Sequence, residues 1–327
     1  VVTTGRIVGF QEGLIDMSGP GAEYPPFSKL INVTVHCTPR EGLTQHEHEA
    51  ALRLAGLKAA AYLGEAGRHA EPDEVVTYEH LPLPEAIARY PDLPKVVYVY
   101  MLQSQGLLHD TYVYGVDAKR ILPTLISPTE VFDGAIVSGN CVSACDKNTT
   151  YHHQNSPVIE DLYARHGKDI NFLGVVITNE NVTLADKERS SSYAAKLVRM
   201  LGADGAIVTE EGFGNPDTDL MMNCRKLEEK GIKTVLITDE YAGRDGGSQS
   251  LADATPHADA VVTAGNANAV VVLPPMEKVI GYPEQVNVIA GGWEGSLRPD
   301  GSIEAEIQVI TGATNELGFS RLSARTI

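Results

Sequence analysis

Cysteine is scarce in this chain: four in 327 residues, alongside a single tryptophan. Two of the four, Cys141 and Cys145, lie close together, which is no disulfide framework, so a reducing, cytoplasmic setting is expected. Basic residues are outnumbered 26 to 43, giving a formal net charge of −17. No Lys/Arg cluster interrupts that acidity, which argues against a nucleic-acid or anionic-membrane surface. Long apolar runs are missing, none approaching the roughly eighteen residues of a membrane span. No basic n-region precedes a short apolar stretch as in a secretory signal. An initiating Met is absent as well: the chain opens Val-Val-Thr-Thr and runs at once into structured-looking sequence, so an upstream segment is expected to be missing.

What is present is an ordinary globular composition, 43 % apolar, in a chain long enough for two domains or one elaborate one. After a turn-rich entry, Lys29 to Cys37 reads as a strand from its β-branched residues. Thr44 to Gly64 reads as an amphipathic helix with Thr44 as N-cap and Glu47 completing a capping box. Lys95 to Gln103 is a strong buried strand. From residue 133 short apolar strands (134–138, 171–178, 205–209, 234–238, 260–263) alternate with helices near 158–166, 186–201, 218–230 and 248–254. That alternation predicts an α/β fold with a doubly wound, Rossmann-like, mainly parallel sheet over 133–327, preceded by an α/β region over 1–132. The loops after the strands would gather at one sheet edge, where such folds bind ligands. The tail from Gly291 reads as a hairpin or added strands.

The densest reactive stretch is Gly139-Asn-Cys-Val-Ser-Ala-Cys-Asp-Lys-Asn-Thr-Thr-Tyr-His-His-Gln-Asn155, expected as a loop leaving a strand. Loops on a rigid scaffold are where chemistry concentrates. Asn140-Cys141 places a thiol within reach of the preceding carbonyl. Attack would give a thioester; β-elimination would leave a dehydroalanine, which tautomerises and hydrolyses to a pyruvoyl group and ammonia. His152 and His153 are the proton-transfer candidates, since histidine titrates nearest neutral pH, and Cys145 is a second thiol near the site. Two other readings stand beside this one. Cys141 could be an ordinary thiol nucleophile with a histidine base, or Cys141, Cys145, His152 and His153 could hold zinc, although their spacing is not a familiar zinc pattern. His46-Glu-His-Glu49 in a helix is better read as a charged first turn than as a metal site, because residues two apart point away from each other. Gly212-Phe-Gly214 lacks the third glycine of a dinucleotide fingerprint, and Glu210 and Glu211 would repel a pyrophosphate. His109 is a further polar residue after a buried strand.

The chain resembles the component B proproteins of glycine, sarcosine and betaine reductases, and their relative in D-proline reductase. The likeness rests on residues 96–110, on Ser138 to His153, on Glu211-Gly-Phe-Gly-Asn-Pro-Asp-Thr-Asp219 and on Asp239-Glu-Tyr-Ala-Gly-Arg-Asp245. It implies self-cleavage at Asn140-Cys141, with Cys141 becoming an N-terminal pyruvoyl cofactor that binds a substrate amine as a Schiff base. A separate selenocysteine- or cysteine-containing reductase subunit would then cleave the C–N bond. Betaine, with no N–H, could not form that Schiff base, so for it the pyruvoyl would act otherwise. The alternatives are a D-proline-reductase-like or other pyruvoyl enzyme, and a binding subunit that keeps the fold without processing.

Lys147 and Arg244 are expected to meet the substrate carboxylate, Arg through paired hydrogen bonds and Lys as a point charge. Glu211 and Asn215, in a matched motif, join them as substrate-binding candidates. No flavin, nicotinamide or iron–sulfur pattern is visible and no metal is expected, so electrons would come from the partner. Tyr151, Tyr241 and Phe213 are candidate contacts for it, and an oligomer is expected.

Overall fold

The computed structural model describes residues 1–6, 13–105, 111–138 and 148–311. Strand β1 (Val2–Thr4) pairs in parallel with β2 (Thr34–His36), a shorter strand than the sequence predicts. Helix α1 (Gln45–Gly67) starts at the expected capping box, with Thr44 Oγ1 accepting the Glu47 N–H and Glu47 accepting the Thr44 N–H at 2.8 Å. Glu49 turns to Arg53 at 3.0 Å. Helix α2 (Leu83–Arg89) leads to strand β3 (Lys95–Leu102), buried on both faces from Val97 onward.

Next come β4 (Thr111–Val113), β5 (Val116–Asp117), β6 (Thr124–Ile126), α3 (Pro128–Phe132) and β7 (Ile136–Ser138). The sequence places 134–138 in the parallel sheet. Instead β7 lies antiparallel to β4 in a separate three-stranded sheet, β5-β4-β7. A three-residue apolar run does not specify its partner. The chain then alternates through α4 (Thr150–Gln154), α5 (Pro157–Arg165), β8 (Asn171–Asn179), α6 (Leu184–Met200), β9 (Gly205–Thr209), α7 (Asn215–Glu228), β10 (Lys233–Glu240) and β11 (Val261–Asn266). No helix forms over 248–254. The backbone N–H groups there are used elsewhere, Ser248 N on Ala242 O at 2.8 Å and Ala252 N on the Asp217 carboxylate at 2.5 Å. A small antiparallel pair, β12 (Val270–Leu273) with β13 (Ile303–Glu306), and the short helix α8 (Gln308–Thr311) complete the described chain. No helix among the described residues is long and apolar enough to cross a membrane.

The main sheet has the order β11-β10-β9-β3-β8-β6, parallel except for β6 at its edge. One of its two central strands therefore comes from residues 95–102, so the sheet spans the 132/133 division that the sequence suggests. Alternate residues of β3 face opposite ways, as strand geometry requires. Val97, Val99 and Met101 pack with Ala194 and Val198 of α6 and Leu220 and Leu227 of α7. Tyr98, Tyr100 and Leu102 pack with Val158, Ile159 and Leu162 of α5. Burial on both faces explains the continuous apolar run that made this strand legible.

The five parallel strands, counted in chain order, lie 2-1-3-4-5. The winding direction reverses at β3, with β8 on one side and β9 on the other. Sheets of this kind form a crevice at the carboxyl ends of the strands where the winding reverses.

Candidate functional site

At that crevice the ends of β3, β8 and β9 are in register: Leu102 pairs with Asn179, and Tyr100 with Thr209. The residues that follow, Gln103 to Gln105, Glu180 and Asn181, and Glu210 and Glu211, leave the sheet side by side. All are buried. Glu180 N–H still donates to Leu102 O at 3.1 Å, so the ladder runs one residue past the strands.

Glu211 is the hub. Its Oε2 accepts the Gln103 N–H at 2.6 Å and its Oε1 accepts the Asn148 N–H at 2.9 Å, while its own N–H donates to Glu180 Oε1 at 2.8 Å. His153 Nε2 lies 3.9 Å from Glu211 Oε1. On its other side the ring binds the Tyr100 hydroxyl through Nδ1 at 2.7 Å, and Asn148 Nδ2 donates to the same hydroxyl at 3.3 Å. Tyr100 in turn stacks on Tyr98, with ring centroids 4.9 Å apart. The approach of the β9 loop needs glycine: Gly212 has φ +84°, and a Cβ there would stand 2.8 Å from Gln103 Nε2.

Charge in this pocket is nearly all negative. Burial, reinforced by the charges of Glu211 and Glu210, pushes the Glu180 carboxyl well above the usual carboxylate range. Glu210 accepts the Thr238 hydroxyl. Burial also raises Asp219, opposed by the Lys187 ammonium, which binds it directly. Lys187 Nζ donates further to Asn215 O at 2.8 Å, and Asn181 N–H reaches Asp219 at 3.2 Å. The first turn of α7 is thus fixed to the β8 loop.

The two histidines part company here. His152 is the N3 residue of α4, and its Nδ1 accepts the Thr149 N–H at 3.1 Å. Burial lowers its pKa to about 3, so it stays neutral. His153 alone of the pair faces Tyr100 and Glu211. The neighbouring residues of the reactive window are anchored at both ends: Ser138 exchanges hydrogen bonds with Thr150 Oγ1 at 3.1 and 3.2 Å, and Asn148 is held by Glu211. Asn140, Cys141, Cys145 and Lys147, and also His109, lie outside the described residues. Among the described residues no group of three or more His, Cys, Asp or Glu is arranged to hold a metal.

Asn215 donates from Nδ2 to Gln105 Oε1 at 2.8 Å, joining α7 to the end of β3. Arg244 sits elsewhere. Its Nε binds Glu306 at 2.7 Å, and its guanidinium lies 3.9 Å from the centroid of the Trp293 ring. With Asn266 and Asn268 it ties the loop after β10 to the β12–β13 pair. Phe213 and Tyr241 stack at 3.7 Å between the loops after β9 and β10, with Phe213 exposed. Tyr151 packs on Phe27 and His152. Sequence reasoning singled out neither Tyr100, Gln103, Gln105, Asn148 nor Glu180 for the site. The one signal was polar residues directly after a buried strand.

Comparison with known proteins matches nearly the whole chain to one family. The family model for glycine/sarcosine/betaine reductase component B subunits matches residues 1–325. The chain is 68 % identical to glycine reductase complex component B subunits alpha and beta of Acetoanaerobium sticklandii, across 100 % of this chain and 76 % of that one. It is 62 % identical to sarcosine reductase complex component B subunit alpha of Peptoclostridium acidaminophilum, across 99 % and 76 %. To betaine reductase complex component B subunit alpha of the same organism it is 43 % identical, across 95 % and 74 %. No solved structure matches the chain. Matched nearly end to end by that family model, the chain belongs to the glycine/sarcosine/betaine reductase component B family.

Proposed function

We propose that the chain is the component B subunit of a glycine-reductase-type oxidoreductase complex, that it matures by cutting its own Asn140-Cys141 bond, and that the crevice at β3 holds the amine substrate. The A. sticklandii relative is named as two subunits, alpha and beta, within one chain, which supports a chain that becomes two. The observation that carries the reading is the Glu211–Asn148–Tyr100–His153 network. It sits where doubly wound sheets bind ligands, and its Asn148 is seven residues after Cys141 in sequence.

In maturation the Cys141 thiol would attack the Asn140 carbonyl, the amide nitrogen leaving as an amine. Loss of the Cys141 Cα proton would then break the Cβ–S bond, the sulfur leaving on Asn140 as a thiocarboxylate, and water would replace the nitrogen by oxygen with release of ammonia. His153 is the group suited to carry protons in these steps; His152 is neutral and occupied as a helix cap.

The residues present fit a pyruvoyl group. A ketone must be kept from competing amines, and the buried Lys187 side chain is engaged by Asp219 and the Asn215 carbonyl. When present, the pyruvoyl supplies an electrophile for an amine nitrogen and a sink for electrons of the adjacent C–N bond. Glu211 fixes the backbone on either side of the crevice, and the buried surroundings exclude water. The electrons would come from a thiol or selenol partner subunit, for which the exposed Phe213–Tyr241 stack is a suitable contact. Cys37 and Cys224 are free thiols, which fits a cytoplasmic setting.

Intact mass spectrometry tests the maturation. The expected result is two polypeptides, residues 1–140 and 141–327, the second carrying a hydrazide-reactive carbonyl. A single unlabelled chain, or cleavage that persists in Cys141→Ala, would overturn it.

A further inference from the structure

Four buried polar atoms in the loops at this crevice have no hydrogen-bond partner among the described residues: Gln103 Oε1, Gln105 Nε2, Asn148 Oδ1 and Glu180 Oε2. Their residues are 7 %, 7 %, 0 % and 0 % exposed. An unpaired buried polar atom costs about 1–3 kcal/mol, and native proteins hold few of them. Three of their residues are bonded to Glu211, and the fourth to Asn215, four positions further along the chain. Gln103 and Asn148 are on the two oxygens of one carboxylate, Glu180 is on that residue's N–H, and Gln105 is bonded to Asn215 at the start of α7.

Their chemistry is complementary to one class of ligand. Gln103 and Asn148 offer acceptors and Gln105 offers N–H donors. Glu180 Oε1 is already an acceptor for the Glu211 N–H, so a proton on this carboxyl belongs on Oε2, which becomes a donor. Resting on the reading that this crevice takes the amine substrate, we propose that the substrate is bound as an α-amino-acid zwitterion by neutral groups: the amide oxygens of Gln103 and Asn148 take its ammonium, and Gln105 Nε2 with Glu180 Oε2 take its carboxylate. The carboxylate is then recognised without arginine. Arg244 is engaged by Glu306 and Trp293, and Lys187 by Asp219. Burial first, and then the acidic surroundings, make a neutral Glu180 available. Glu210 and Glu211 after β9 and Asp219 on α7 all disfavour its ionisation, and His153 on α4 faces Glu211 from the other side.

Titration calorimetry of the full chain with glycine tests this, using glycinamide and glycolate as probes that lack the carboxylate and the nitrogen. Wild type should bind glycine, and both analogues at least about tenfold more weakly. Gln105→Leu and Glu180→Leu should each weaken glycine by about 10–100-fold, the effect of losing a hydrogen bond to a charged group. Glu180→Gln should stay within about threefold of wild type, because an amide accepts the Glu211 N–H on one side and donates on the other. As the pH is raised, wild type should lose affinity more steeply than Glu180→Gln, a difference that a purely structural role would not produce.

The proposal is overturned if Glu180→Gln is as weak as Glu180→Leu, if both leucine variants bind normally, if either analogue matches glycine, or if wild type gives no heat with millimolar glycine. Gels of the same samples read maturation separately. An uncleaved chain with this binding pattern removes the cleavage reading alone, and a cleaved chain without it removes the zwitterion site alone.

Discussion

Glu211 and Asn148, 63 positions apart, are joined carboxylate to backbone amide at 2.9 Å, and the other oxygen of the same carboxylate holds Gln103. Glu211→Ala should release both ends of this clamp in a buried site. The expected loss is about 2–4 kcal/mol of stability, one to two kcal/mol for each orphaned N–H, read by urea denaturation. Appearance of the 1–140 fragment should slow in the same variant.

His152 and His153 should separate cleanly. His152→Gln keeps a capping-box residue at N3 and should mature at the wild-type rate, whereas His153→Gln should slow both maturation and amine release. The pH dependence of stability distinguishes them further. The folded pKa of His152 lies below its ordinary 6.5, at about 3, so the unfolded chain takes up that proton first. Its contribution is therefore full above pH 6.5 and declines as the pH falls toward 3, by up to about tenfold in the unfolding constant per pH unit. His152→Gln should remove that slope.

Lys187→Met should leave the Asp219 carboxyl buried without its ammonium. Breaking such a pair costs about 3–5 kcal/mol, while the double variant Lys187→Met/Asp219→Leu should recover most of it. Chemical denaturation of the three proteins, set against wild type, measures both effects.

Arg244→Ala should change glycine affinity less than about twofold, since its guanidinium is occupied by Glu306 and Trp293. The half-exposed ion pair contributes little, about 1 kcal/mol or less, so the melting temperature should fall modestly. A large rise in the glycine dissociation constant would return Arg244 to the site.

Phe213→Ser should mature normally and bind glycine normally, yet release amine more slowly when the partner subunit is limiting. Doubling the partner concentration should restore much of the rate. Equal rates at every partner concentration would remove this aromatic from the contact surface.

The helices α6 and α7 and the strands β3 and β8 to β11 were legible because each is a long apolar or periodic segment with its own caps. β7 was not, since Ile136-Val-Ser138 fits either sheet until its partner is known. The 248–254 segment has the composition of a helix, but Asp217 captures one of its amides from 35 positions away. The cleavage motif could be read from adjacent residues alone. Glu180 could not be singled out, because its role depends on Glu210 and Glu211 lying across β3 from it, and nothing in the local sequence announces which strands are neighbours. The two histidines were indistinguishable until α4 pointed one at Thr149 and the other at Tyr100.

The place of β3 in the sheet has a consequence for handling the protein. It precedes Cys141, yet it lies between β8 and β9, which both follow it. A chain cut at 140/141 would leave this central strand belonging to one product and both strands flanking it to the other. The two halves would therefore be interleaved, like a tongue in a groove. They should travel as a single particle through gel filtration and ion exchange, coming apart only in denaturant, so an apparent mass near that of the uncut chain under native conditions says nothing about whether the bond is intact.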